Sequence, residues 1–282
     1  MITELNLVLP DGSTLRFYDA GPADHFPVIW HHGTPNIGSP PEPLFRAAAR
    51  LGLRLIGYDR PGYGGSTPRP DRPVASAAHD VAAIVDALKL GQFAVMGHSG
   101  GGPHALACAG LLPERVVAAI SMAGLAPFGA AGLDWYAGMH SPASLEAAAA
   151  GRAAKEAYEA TEPPFDPDVF TPADHAALQG SWNWLNSVVG PAMVHGPAPL
   201  IDDDLAYVRA WGFNPQDIRV PVLLLHGALD RMVPATHSQW LSHTIPRAEL
   251  RSTPGDGHIS ILNHAQAALE WLRTRIDEST GE

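Results

Sequence analysis

An α/β fold with a mostly parallel sheet is predicted by three observations. Short apolar runs alternate with helix-patterned segments along most of the 282 residues. Those runs are apolar at consecutive positions, as expected for strands covered on both faces. The alternation stops once, between Gly124 and about Arg219, and then resumes. Such a length suits one large α/β domain, here carrying an insertion.

The elements follow in order. Glu4–Leu9 and Thr14–Asp19 flank Asp11-Gly12, a strong hairpin turn. Pro27–His32 (PVIWHH) is a short apolar run, Leu44–Leu51 reads as a helix, and Arg54–Asp59 (RLIGYD) runs into a loop rich in glycine and proline. In Val74–Leu90, the residues Val81, Ile84, Val85 and Leu88 recur at helical spacing. Phe93–His98 is a strand, Gly100–Leu111 a helix and Val116–Met122 a strand. Pro221–His226 and Glu249–Ser252 are the last strands, and Gln266–Ile276 closes the chain as a helix. The interruption holds an alanine-rich segment (Ser144–Ala160), a Pro/Asp-rich loop (Glu162–Pro172), and helical signals near Trp182 and over Leu205–Trp211. It carries no strand pattern and reads as a helical lid over one end of the sheet.

The formal charge is −11, and Lys89 and Lys155 are the only lysines. That balance argues against nucleic acid or an anionic membrane as partner. No apolar segment is long enough to span a bilayer. The first residues, MITELNLVLPDGS, lack the basic and apolar regions of a signal peptide, so the expected location is the cytoplasm. The single cysteine, Cys108, excludes an intrachain disulfide and sits at helical spacing among alanines and leucine, as a small buried hydrophobe would. His31-His32 has no third ligand at a recognisable spacing, so no metal is expected.

The stretch FAVMGHSGGGPHALA carries the chemistry. A strand must turn sharply into a helix at Gly97-His98-Ser99-Gly100-Gly101. A residue at the apex takes strained backbone angles, and its neighbours two positions away must be very small. Pro103 suits the first turn of the helix. The turn lifts the Ser99 hydroxyl to the helix N-terminus, where free N–H groups favour a developing anion. Ser99 is therefore the candidate nucleophile.

A serine hydroxyl needs a base, and the base needs a carboxylate to fix its tautomer. Asp230 lies four residues beyond the PVLLLH strand, and His258 lies in the loop beyond the last strand. Ser99, Asp230 and His258 thus form the expected triad, in the chain order Ser…Asp…His. The expected oxyanion donors are the N–H of Gly100 and that of Thr34, in the His32-Gly33-Thr34-Pro35 loop. Asp256 is read as shaping its loop, Asp59 as a buried or loop-anchoring carboxylate paired with Arg60, His226 as structural, and His98 as packing beside the nucleophile and bordering the substrate. Trp135, Tyr136, Met139, Trp182, Trp184 and Met193 are apolar or aromatic lid residues. Most of them are expected to fill the lid core, with one or two facing an apolar substrate. Asp202-Asp203-Asp204 reads as a helix start, with carboxylates favoured by the dipole. Lys155 reads as lying on a solvated helix face.

HGTP at 32–35, DRPGYGGS at 59–66, GHSGG at 97–101, LHGALDRMVP at 225–234 and DGH at 256–258 together resemble the α/β-hydrolase fold family. The likeness is to its carboxylesterase, proline-iminopeptidase-like and cofactor-free haloperoxidase-like branches. It implies an eight-stranded, mostly parallel sheet flanked by helices, with a helical cap between strands six and seven. The core would span 1–124 and 219–282, and the cap 125–218. The implied activity is serine hydrolysis of an ester, lactone or related small acyl compound, with no cofactor and a small-molecule acyl substrate as partner. A homo-oligomer is compatible with the sequence. HGTP and GHSGG depart from the usual iminopeptidase motifs, which speaks against peptide-amine cleavage. Ser99 at the elbow speaks against epoxide and haloalkane chemistry, which use aspartate there. The alternatives are a lyase or ligand-binding protein on the same fold, or an aminopeptidase-like amide hydrolase.

Overall fold

The computed structural model describes residues 2–281. Its strands are β1 (Ile2–Val8), β2 (Thr14–Ala20), β3 (Phe26–His31), β4 (Leu53–Tyr58), β5 (Phe93–His98), β6 (Val116–Met122), β7 (Val222–Gly227) and β8 (Ala248–Thr253). They form one eight-stranded sheet in the order β1-β2-β4-β3-β5-β6-β7-β8. β1 pairs with β2, and β2 with β4, antiparallel; every later pairing is parallel. The helices are α1 (Phe45–Arg50), α2 (Ser76–Ala87), α3 (Gly101–Leu111), α4 (Ala143–Ala149), α5 (Arg152–Glu159), α6 (Pro172–Gln179), α7 (Leu185–Ala192), α8 (Ala198–Tyr207), α9 (Thr236–Thr244) and α10 (Ala265–Thr280).

β4, β5, β6 and β7 are buried at every position, because helices cover both faces of the sheet. Side chains alternate across the strand, so neighbours serve different cores. Trp30, Met96 and Ile120 join α10 residues Leu269 and Leu272 on one face. Ile29, Val95 and Ala119 join α2 and α3 residues on the other. This double covering fixes the ends of β5 and β7, and pairing along β7 fixes that of the edge strand β8; the chemistry-bearing loops leave from these three ends.

Helices α4–α8 fall between β6 and β7, and no strand does so among the described residues. The alanine-rich segment divides at Gly151, whose φ of 110° suits glycine, into α4 and α5. A third apolar cluster joins α4 and α8 to Leu125, Trp135 and Val233.

Two expectations for this segment need correction. α8 begins at Ala198, so Asp202, Asp203 and Asp204 lie in its second turn and are buried. Lys155 is also buried, with its ammonium 2.6 Å from Asp204 and 2.5 Å from Glu159. The cause is the same in both cases: each charge that leaves water finds an opposite charge within the segment or beneath it. No helix among the described residues is long and apolar enough to cross a membrane.

Candidate active site

Ser99 ends the strand-to-helix turn with φ 54°, a left-handed conformation rare outside glycine. Its N–H donates to the Met122 carbonyl at 2.8 Å, and its carbonyl accepts from the Gly102 N–H at 2.9 Å, so the strained residue is held from both sides. Gly97 must be glycine, since a Cβ there would lie 2.2 Å from the Gly101 carbonyl oxygen. Ser99 keeps partial solvent access between buried neighbours.

The loops after β7 and β8 bring Asp230 and His258 to it. His258 Nε2 lies 2.9 Å from Ser99 Oγ, and His258 Nδ1 lies 2.7 Å from Asp230 Oδ2. Asp230 can only accept, so Nδ1 carries the proton and Nε2 is left to accept from the serine hydroxyl. The other Asp230 oxygen accepts from the Met232 and Val233 N–H groups, each at 2.9 Å. Burial works against the carboxylate, but His258 and His226 hold Asp230 well below the usual carboxylate range.

The flanking histidines take supporting places. His226 Nε2 donates to the Val233 carbonyl at 2.7 Å, and its Nδ1 accepts from Ser238 Oγ at 2.6 Å, which braces the acid loop. His98 donates Nε2–H to the His258 carbonyl at 2.9 Å and is buried. Its ring lies 5.0 Å from that of His258. Burial beside His258 lowers the His98 pKa to about 3. Asp256 pairs with His264 at 2.9 Å and stays out of the relay.

The loop after β3 is gripped by Arg60. Its guanidinium donates to the carbonyls of His32 and Gly33 and, at 2.9 Å, to Thr34 Oγ1. The pairing expected between Arg60 and Asp59 is not formed. Asp59 instead accepts from the Gly38 N–H at 2.7 Å, the Gly65 N–H at 2.9 Å and the Tyr18 hydroxyl at 3.2 Å. Arg60 pairs with Asp203 of α8 at 2.6 Å, and Arg72 reaches the other oxygen of Asp203 at 2.6 Å. Burial would raise the Asp203 carboxyl, but the two guanidiniums overcome it and hold the group well below its ordinary value. The Thr34–Pro35 peptide is cis. Among the described residues, neither the Thr34 nor the Gly100 N–H meets an acceptor.

Asp174 of α6 was not singled out from the sequence, although Thr171-Pro172-Ala173-Asp174 forms a capping box at that helix start. Its second role is invisible at that range. Asp174 Oδ1 accepts from the N–H groups of Ile259 (2.9 Å) and Ser260 (2.7 Å), the residues that follow His258. Arg60, Asp203 and Tyr207 were likewise unassigned as site neighbours.

The aromatic lid residues divide. Trp135, Tyr136 and Met139 share a cluster with Tyr207 and Val233, the neighbours of Thr34 and of Asp230. Trp182 and Trp184 pack on the other side, against Trp30 and Ile261. Trp182 is buried and donates its indole N–H to Asn263. Trp184 meets Trp30 edge to face at 6.4 Å. Trp182 fills core, and Trp184 lies half-buried against it. His31 and His32 take separate partners: His31 faces Cys108 and Tyr58, while His32 accepts from the Arg60 N–H.

A strand–Ser–helix elbow, with His and Asp delivered by the loops after the last strands, defines a known class. The family model for the alpha/beta hydrolase fold matches residues 27–265, and the chain belongs to that family. It is similar to a non-heme chloroperoxidase of Streptomyces lividans, with 28% identity over 91% of this chain and 93% of that protein. It is also similar to a 2-hydroxymuconate semialdehyde hydrolase of Pseudomonas putida, at 27% over 92% and 89%. Among solved structures, the enol-lactonase from Burkholderia xenovorans LB400 superposes with a TM-score of 0.73. It is 18% identical and is covered over 99% of its chain and 96% of this one. At that identity the likeness concerns the fold.

Proposed function

We propose that the protein is a serine hydrolase of carboxylic esters, lactones or related small acyl compounds. One observation carries the reading: the continuous relay from Ser99 Oγ to His258 (2.9 Å) and from His258 to Asp230 (2.7 Å). Ser99 attacks the carbonyl carbon as His258 Nε2 takes its proton. The carbonyl oxygen becomes an anion held by the Thr34 and Gly100 N–H groups, each such donor worth about 3–4 kcal/mol in the transition state. His258 then protonates the departing alcohol or enol, leaving the acyl group on Ser99. Water, deprotonated by His258, attacks that ester; the acid leaves and the proton returns to Ser99.

In this reading 125–218 is a cap over the core formed by 1–124 and 219–282. Trp135, Tyr136 and Met139 give the acyl or alcohol side an apolar wall. The lyase alternative would use a free polar group in the cap, such as a lysine. Lys155 is committed to Asp204 and Glu159 and is not available for that role. The test is turnover of a panel of short esters, lactones and amides by the wild type, Ser99→Ala and His258→Ala. Hydrolysis of at least one ester or lactone, lost in both variants, is the expected result. Hydrolysis unchanged in Ser99→Ala would overturn the reading.

A further inference from the structure

We infer that Tyr207, at the end of α8, is a positioning residue that holds the two oxyanion donors at a fixed spacing. The inference rests on the acyl-transfer reading above. The Tyr207 hydroxyl lies 2.7 Å from Thr34 Oγ1 and 3.1 Å from the Gly100 carbonyl oxygen. One atom of the inserted segment therefore touches both residues whose N–H groups face the anion.

The valences close around this arrangement. Thr34 Oγ1 donates to Asp203 Oδ2 at 2.6 Å and accepts from Arg60 at 2.9 Å. Its remaining lone pair is free for the Tyr207 hydroxyl, whose proton is shared with the Gly100 carbonyl. Gly100 O also accepts from His104 Nδ1 at 2.7 Å, so the peptide carrying its carbonyl is held from two directions. A Cβ on Gly100 would lie 2.2 Å from the Tyr207 oxygen, so the contact leaves no slack.

Tyr207 is itself immobile. It is buried, edge-on to His104 at 5.9 Å, and packed with Leu125 and Leu205. One turn earlier on the same helix, Asp203 is fastened to Arg60, Arg72 and the Tyr63 hydroxyl. Burial and the nearby Asp203 carboxylate push the phenol pKa up, so the hydroxyl remains a donor across the working pH range. The Thr34 loop belongs to no strand or helix and gains a rigid reference from this contact. Without it, Arg60 and Asp203 still hold the Thr34 hydroxyl, but the direct tie from Thr34 to Gly100 is lost, and misplacement of the two donors is costly to catalysis.

The experiment compares wild type, Tyr207→Phe, Thr34→Val and the double variant. Three quantities are read: melting temperature, steady-state constants on the best panel ester, and affinity for a trifluoromethyl ketone, whose Ser99 adduct places an anionic oxygen at the donors. Tyr207→Phe is expected to lower kcat by roughly 10–100-fold with KM within about two-fold. Ketone affinity should fall in parallel with kcat/KM. Thr34→Val breaks the same contact together with the hydroxyl's bonds to Asp203 and Arg60, so it should lose at least as much, and the double variant should lose little more than Thr34→Val alone. If kcat in both single variants stays at the wild-type value, or if the losses multiply in the double variant, the positioning role is wrong. If Tyr207→Phe fails to fold, Tyr207→Met, which leaves the Thr34 hydroxyl with Asp203 and Arg60, decides by the same kcat and ketone criteria. A wild type inert to every ester and to the ketone would instead sink the acyl-transfer reading, and this inference with it.

Discussion

Asp174, on a helix inserted between β6 and β7, accepts hydrogen bonds from the backbone N–H groups of Ile259 and Ser260, immediately after His258. The inserted segment thus supports the base from one side, while Asp203 and Tyr207 support the Thr34 loop from the other. A carboxylate suits the Asp174 position because both of its oxygens accept. Oδ1 takes the His258 loop and Oδ2 takes Thr171. Asp174→Asn leaves one set facing an amide N–H. The expected result is a stability loss of about 1–3 kcal/mol in denaturant melts, together with a fall in kcat.

The same group has a pH signature. Burial would raise the Asp174 carboxyl, but the Ser260 and Thr171 N–H groups prevail and lower it. A carboxyl lowered in the folded state adds stability above the unfolded value of about 3.9, and that stability is lost as pH falls through the folded value. The melting-temperature gap between wild type and Asp174→Asn should be full near neutrality and should narrow below about pH 4. A gap independent of pH would contradict the assignment.

Asp230→Asn tests the relay without removing bulk. The Met232 and Val233 N–H groups draw the amide oxygen toward them, so the NH2 faces His258 Nδ1. That forces the proton onto Nε2, the tautomer that cannot accept from Ser99. A loss in kcat of about 10⁴-fold with near-native stability is expected from steady-state assays and melts.

Asp203→Ala leaves Arg60 and Arg72 buried without their carboxylate. The expected cost is about 3–5 kcal/mol, read as a lowered denaturation midpoint. A variant as stable as wild type would mean that water replaces the carboxylate inside the protein.

The parts of the site legible in the sequence were those encoded locally. The elbow is a strand, a crowded turn and a helix within a few residues, and Gly97 and Gly101 declare it. Asp230 and His258 were legible because each follows a strand at a short, fixed offset. The supports were not, since they join residues far apart in the chain. Arg60 with Asp203, Thr34 with Tyr207 and Asp174 with Ile259 each cross from core to insertion. Helical periodicity reports that α8 has an inward face, but it does not name the arginine waiting there. Hence Asp203 read as a dipole-favoured helix start and Lys155 as solvated, while both are buried in ion pairs. Trp182 and Trp184 read alike with Trp135 because a large ring suits a pocket and a core equally well. The packing places Trp135 in one buried cluster and Trp182 in another.

The central claim is that Ser99 is an activated nucleophile. It is tested most directly by fluorophosphonate labelling of folded protein, with the adduct mapped by mass spectrometry, in wild type and Ser99→Ala. A single adduct on Ser99, absent from the variant and slowed in Asp230→Asn, is the expected result. An unlabelled wild type, or an adduct that persists in Ser99→Ala, would contradict it.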